Sequence, residues 1–243
     1  MMEMNETKLI FKRTEKKYLL SPESHDALWD RIGSYLEPDD YPESTVCSIY
    51  YDTDDYRLIR HSIEGPVYKE KLRLRSYNIP GCSDPVFVEL KKKYKGVVYK
   101  RRVELAASDA EAWLDRGEKP REDSQTIREI DWFLRSVSPS AKAFLACDRQ
   151  AWRAKDDPEL RITFDRRIRW RGERLHLGEG DEGEELLGPG EVLMEIKTPT
   201  AAPLWLAHAL SELEIFPCSF SKYGSCYKEH ILHEFIFGGS IHA

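Results

Sequence analysis

Residues 69–75 read KEKLRLR, so Lys69, Lys71, Arg73 and Arg75 occupy every second position. A β-strand turns alternate side chains to opposite faces. The segment therefore presents four cations on one side and Glu70, Leu72 and Leu74 on the other. Arg offers a planar fork that grips two oxygens of a phosphate, and Lys offers a compact point charge. Such a face meets either water or a polyanion.

The same alternation recurs along the chain. Arg13, Glu15 and Lys17 share a face, as do Glu89 and Lys91. Lys100, Arg102 and Glu104 share another. Arg161, Thr163 and Asp165 form one more set, and Glu195 stands with Lys197. An ordinary half-buried sheet, apolar side in and polar side out, explains any one of these strands. It explains the set less well, because exposed faces intersperse both signs of charge. A barrel inverts the arrangement, with charged faces inward and helices over the apolar outside. Cations crowded in a low-dielectric lumen repel one another, and they are tolerated only with a bound anion or with interleaved carboxylates. Glu15, Glu89, Asp165 and Glu195 supply such carboxylates.

The elements that position these faces follow from local pattern. Ser21 as N-cap and Pro22 at the first helical position open a helix over 22–36. Residues 45–52, 67–77, 86–94 and a run from Val97 to Leu105 read as strands, the last two joined by a turn at Lys95 and Gly96. Residues 53–62 are ambiguous and include a short helix. Ser108 and Glu111 form a capping box for a helix ending near Gly117. Ile127, Ile130, Phe133, Leu134 and Val137 make a helical stripe within 124–137. Residues 143–153, 160–170 and 192–198 are strands, 204–213 and 227–237 helices, and 178–191 an acidic, solvated loop or a guard at a cavity mouth. About eight strands with intervening helices give an α+β fold with a large antiparallel sheet closed into a barrel.

Composition bounds the partners. The 243-residue chain carries a net charge of −6, which argues against a general nucleic-acid binder. Yet residues 66–103 hold eleven Lys or Arg against three Asp or Glu. A basic tract in an acidic protein points to a local anion site. Five scattered cysteines without a C-x-x-C fit reduced thiols rather than a zinc site or disulfide framework. No apolar run approaches the roughly 20 residues of a membrane span, and the start MMEMNETK lacks a signal-peptide core. A cytoplasmic protein is expected. Neither a Ser-His-Asp or Cys-His set nor a Walker phosphate loop is present.

The segments RTEKKY (13–18), SIYYDT (48–53), KLRLRSY (71–77), VFVELKKK (86–93), YKRRVEL (99–105), CDRQAW (147–152), LRITFD (160–165), VLMEIKT (192–198) and FSKYGSC (220–226) together resemble the VTC domain. That family comprises the polyphosphate polymerase domain of the vacuolar transporter chaperone complex and stand-alone bacterial relatives, within the triphosphate tunnel metalloenzymes (CYTH-like). The resemblance runs from about residue 10 to 230, without an SPX domain or a membrane segment. It implies a single domain over 10–237 between tails 1–9 and 238–243, folded as an eight-stranded antiparallel β-barrel, a triphosphate tunnel with flanking helices.

Carried over motif by motif, the resemblance makes Arg73, Arg75 and Lys91 catalytic. It makes Lys17, Lys100, Arg149, Arg161, Lys197 and Lys222 phosphate-binding. Glu195 becomes the ligand of Mn2+ or Mg2+, with Glu15, Glu89 and Asp165 as weaker candidates. CYTH-type relatives carry E-x-E-x-K in the first strand. Arg13 stands here where the first Glu would be, which disfavours a two-metal triphosphatase site. The implied activity is transfer of the γ-phosphate of ATP to a growing polyphosphate chain. Hydrolysis of triphosphate or nucleoside triphosphates, and binding of polyphosphate without turnover, remain open, as do a membrane partner and the oligomeric state.

Overall fold

The computed structural model describes residues 14–233 apart from 96 and 200. Arg13, the Gly96 turn, residues 234–237 of the expected last helix and both tails lie outside the described residues. In chain order the elements are β1 (Thr14–Leu20), α1 (Pro22–Ile32), β2 (Leu36–Asp52), α2 (Arg57–Ile63), β3 (Tyr68–Tyr77), β4 (Pro85–Tyr94) and β5 (Val97–Ala106). Then come α3 (Ala107–Arg116), α4 (Gln125–Val137), β6 (Ser140–Ala154), β7 (Arg161–Arg171), β8 (Glu184–Glu185), β9 (Val192–Thr198), α5 (Leu204–Glu212) and α6 (Lys222–Cys226). A π-helical turn, Tyr227–Ile231, continues α6.

One antiparallel sheet runs in the order β1-β9-β7-β6-β2-β3-β4-β5, with the short β8 added beside β7. The fold is α+β, as expected, but the sheet is not closed into a barrel. Among the described residues β1 and β5 end the order unpaired with each other. The outer edge of β1 is taken instead by a later segment, whose Cys218 N–H donates to the Lys17 carbonyl at 2.7 Å.

Alternation places the apolar side chains of the sheet under the helices. Leu72 and Leu74 of β3 and Val86, Val88 and Leu90 of β4 pack with Trp113 of α3 and Ile127, Ile130 and Phe133 of α4. Tyr18, Ile162, Met194 and Ile196 pack with Leu28 and Ile32 of α1 and Leu206 and Leu210 of α5. A third cluster lies on the other face, where Val46, Tyr50, Ala143, Leu145 and Ile168 meet Tyr223 and Tyr227. Helices thus cover the apolar face, as the inverted arrangement expects, but the sheet is open and part of its other face is also apolar, under Tyr223 and Tyr227.

Local signals explain most boundaries. The Ser21 hydroxyl accepts from the Ser24 N–H and Pro22 opens α1, while the Ser124 hydroxyl accepts from Ile127 N–H at the start of α4. The capping box at Ser108 is not used. Helix α3 begins two residues earlier with Ala106 as N-cap, and its free N–H groups at Ala107 and Ser108 donate to the carbonyls of Asp84 and Cys82. A distant loop satisfies the helix start, so no side chain needs to. Strand β2 also begins nine residues before the expected Thr45. Its early half carries Pro38 and Pro42 and pairs with β6 alone, whereas β3 joins only from Val46. An edge position tolerates proline.

The acidic segment 178–191 is docked rather than free. Buried Arg169 binds Asp181, and the Arg171 guanidinium donates to the carbonyls of Arg174, His176, Gly180 and Glu182. Among the described residues, no helix is long and apolar enough to cross a membrane.

Candidate functional site

The two ends of the sheet order face a common cavity of about 160 Å³. β3 contributes Lys71, Arg73 and Arg75, and β4 contributes Lys91. From the other side come Glu15 and Lys17 of β1 and Glu195 and Lys197 of β9. Arg149 of β6, Tyr50 of β2 and Ser221 and Lys222 at the start of α6 complete the wall. Eight cations thus converge on a space that two carboxylates share.

Two further carboxylates lie buried beneath this lining. Glu89 is 1% exposed and sits among Arg73 (2.6 Å), Lys100, Arg102 (3.6 Å) and Arg75 (4.0 Å). Burial alone would raise its carboxyl, but the surrounding Arg73, Arg75 and Lys100 outweigh that and pull it down to about 2. Arg73 is held at a second point, its Nη1 donating to the Tyr50 hydroxyl at 3.4 Å. The Nε of Arg75 donates to Ser48 Oγ at 3.2 Å. Arg73 is thus fixed at all three nitrogens, and Arg75 through its Nε.

Asp165 does the same work on the opposite wall. Arg149 grips it with both Nε (2.6 Å) and Nη2 (2.7 Å), and Lys222 approaches to 2.5 Å. Burial is again outweighed, by Lys222 and Arg149, and the Asp165 carboxyl falls to about 2. Glu195 is buried beside Lys17 (3.1 Å), Lys197 (3.3 Å) and Lys222 (3.7 Å). Those three cations overcome its burial and hold it well below the usual carboxylate range.

Lys71 and Lys91 differ from these clamps. They are register partners across β3 and β4, and among the described residues neither has a carboxylate within 4.0 Å. The Lys71 ammonium donates to Ser221 Oγ at 3.1 Å. Burial, reinforced by Lys69, Lys91 and Lys17, lowers Lys71 to about 8, and burial likewise lowers Lys91. For Tyr50, burial works upward, but Arg73 and Arg75 outweigh it and bring the phenol down to about 8. Its ring stacks on Tyr223 at 4.6 Å, and the Tyr223 hydroxyl donates to buried Asp52 at 3.1 Å. The cavity is thus built to receive negative charge that the protein itself does not supply.

Of the residues singled out from sequence, Lys17, Arg73, Arg75, Lys91, Arg149, Lys197, Lys222, Glu15 and Glu195 line this cavity. Glu89 and Asp165 stand behind it as counter-charges. Lys100 is withdrawn onto Glu89. Arg161 stands apart at the end of β7, paired with Asp39 at 3.4 Å. Among the described residues, no three His, Cys, Asp or Glu side chains converge as a ready-made metal site. Glu15 and Glu195 are nevertheless two carboxylates in the cavity wall, and a Mg2+-like ion takes one or two carboxylates together with substrate phosphate oxygens. The donor set suits an ion that arrives with phosphate.

Tyr50 and Ser221 belong to the site although sequence reasoning assigned them no part in it, and Lys71, placed on the cation face, was given no named role there. The signal for Lys71 was the alternation shared with Arg73 and Arg75. Tyr50 was legible from Ser48-Ile49-Tyr50, since Ser48 and Tyr50 pair in register with Arg75 and Arg73. Ser221 immediately precedes the lysine of F-S-K-Y and caps α6.

Comparison with solved structures finds likeness at low identity. A Bacillus halodurans protein described provisionally as an adenylate cyclase superposes with a TM-score of 0.52 at 16% identity, covering 85% of this chain and 92% of that one. A Vibrio parahaemolyticus protein given the same provisional description has a TM-score of 0.47 at 14% identity, covering 92% and 98%. A Pyrococcus horikoshii protein has a TM-score of 0.45 at 14% identity, covering 89% and 98%. No curated protein matches the chain in sequence. Residues 12–231, which carry every lining residue of the cavity, match the VTC domain family, and the chain belongs to it.

Proposed function

We propose that the protein is a polyphosphate polymerase that transfers the γ-phosphate of ATP to a growing polyphosphate chain. The observation that carries this reading is the cavity's unbalanced charge, eight lining cations against two lining carboxylates. Phosphoryl transfer asks little covalent chemistry of a protein. It asks that reacting phosphates be held in line and their charge neutralised.

Arg73 and Arg75 are immobilised through Glu89, Tyr50 and Ser48. In this reading their remaining N–H groups grip the transferred phosphate. Lys91 and Lys71, free of carboxylate partners within 4.0 Å among the described residues, donate to its oxygens. Lys17, Lys197, Arg149 and Lys222 line the opposite wall and hold the neighbouring phosphates. Glu195, with Glu15, would hold Mg2+ or Mn2+, whose chemistry when bound is to neutralise phosphate oxygens as the bond to ADP breaks. The acceptor is already an oxyanion, so no general base is needed. A cytoplasmic setting, where ATP is abundant, accords with the free cysteines.

Incubation with ATP and Mn2+, followed by gel analysis of phosphate polymers and assay of free phosphate, tests the proposal. Polymer together with ADP supports it. Stoichiometric free phosphate without polymer replaces polymerisation with hydrolysis, and neither product with intact binding replaces it with a binding module.

A further inference from the structure

Past Arg75, just outside the cavity lining, the strand face changes character. Phe87 is the register partner of Arg75, and Tyr77 follows Arg75 on the same strand face. Arg102, register partner of Glu89, reaches back so that its guanidinium lies 3.5 Å from the Phe87 ring centroid. The Tyr77 ring stands edge-on to Phe87 at 5.8 Å, with Arg102 5.9 Å from its centroid. Tyr77 is 44% exposed, unusual for a tyrosine next to a buried cationic lining. Burial would raise its phenol, but Arg75 and Arg102 lower it, which marks how near the phosphate-binding arginine lies.

None of these three groups is needed to neutralise phosphate. Phe87 and Tyr77 carry no charge, and the Arg102 guanidinium lies over the Phe87 ring with its Nε 3.6 Å from Glu89, a carboxylate it shares with Arg73, Arg75 and Lys100. A guanidinium plane backed by an aromatic ring, with a second aromatic ring at right angles, is a surface on which a flat heterocycle stacks. We propose that Tyr77, Phe87 and Arg102 form a nucleobase platform that seats the base of the nucleoside triphosphate donor. The inference rests on the phosphate-cavity reading above and adds to it the source of donor selectivity. The triphosphate lies along Arg73 and Arg75, and the base stacks beyond Arg75 against the Arg102 plane and the Tyr77 ring.

The test is a pair of affinities measured by calorimetry without metal, with ATP and inorganic tripolyphosphate as probes. Tripolyphosphate carries the charge of ATP but no base. Tyr77→Leu and Arg102→Lys (the latter keeping charge and losing the plane) are each expected to weaken ATP about tenfold, the effect of losing one stacked base. Tripolyphosphate affinity is expected to stay unchanged in the same samples, which also serves as the folding control. Tyr77→Phe keeps the ring and is expected to keep ATP affinity. Equal losses for both probes, or none for either, overturn the platform while leaving the phosphate cavity intact. Failure of the unaltered protein to bind either probe overturns both.

Discussion

Lys71 and Lys91 stand directly opposite one another on neighbouring strands, and among the described residues neither has a carboxylate within 4.0 Å. Like charges in that relation destabilise a sheet. The protein tolerates the cost at a place where an incoming anion removes it.

Ligand binding should therefore stabilise the fold measurably. Tripolyphosphate at about 100 times its Kd adds about 2.7 kcal/mol. For a chain of this size that raises Tm by about 5–10 °C, readable in a thermal melt. Lys91→Met should show the reverse pair of effects: a higher Tm without ligand and a smaller rise with it. A melt in which Lys91→Met lowers the ligand-free Tm would contradict the account.

Glu89 carries the opposite dependence. Removing one partner of a buried charge cluster costs about 3–5 kcal/mol, so Glu89→Gln should lower the urea midpoint strongly. Its folded carboxyl lies near 2, below the ordinary 4.5. A depressed carboxyl contributes stability in full above its unfolded value and loses it as pH falls toward the folded one. Acid unfolding between pH 4.5 and 2 should thus be less steep in Glu89→Gln than in the unaltered protein. Asp165, also near 2 against an ordinary 3.8, adds to the same window.

Phosphate affinity should weaken as pH rises through about 8. Lys71 loses its proton there, and Tyr50 gains a negative charge in the same cavity. Both changes disfavour an anion, and because the two groups act on each other the apparent titration belongs to the pair. Tyr50→Phe and Lys71→Met should each flatten the pH profile of tripolyphosphate affinity between pH 7 and 9. A profile unchanged in both variants would count against the assignment.

Glu195 separates binding from turnover. Glu195→Gln removes negative charge from beside Lys17, Lys197 and Lys222. Metal-free tripolyphosphate should then bind more tightly, not less. Turnover of ATP with Mn2+ should drop by about 100-fold or more, the scale of losing one group that stabilises developing charge. The gain in ATP affinity that Mn2+ gives the unaltered protein should vanish as well.

Much of this site could be read from alternation alone. KLRLR and E-x-K-T fixed which side chains share a face, and the register then brought Glu89 under Arg73 and Lys17 against Glu195. What alternation cannot give is what lies opposite. Lys100 and Arg161 have the right face but are drawn away by Glu89 and Asp39. Two arginines recruited the acidic loop through backbone carbonyls, which leave no trace in composition. The start of α3 was misread because its caps come from Asp84 and Cys82, over twenty residues earlier. The start of α6 at Lys222 rather than near 227 followed from Ser221 as its cap, a Ser whose role the F-S-K-Y motif concealed.

The absence of strand pairing between β1 and β5 among the described residues, with only the Cys218 segment laid along β1, bears on how the polymer of the proposed reaction would be loaded. A closed ring of strands admits a linear molecule only by its tip, and so sorts chains by whether a terminus is free. A gutter with separate lips accepts a filament along its length. Under the polymerase reading proposed above, a polyphosphate blocked at both termini is as admissible a passenger as one with free ends.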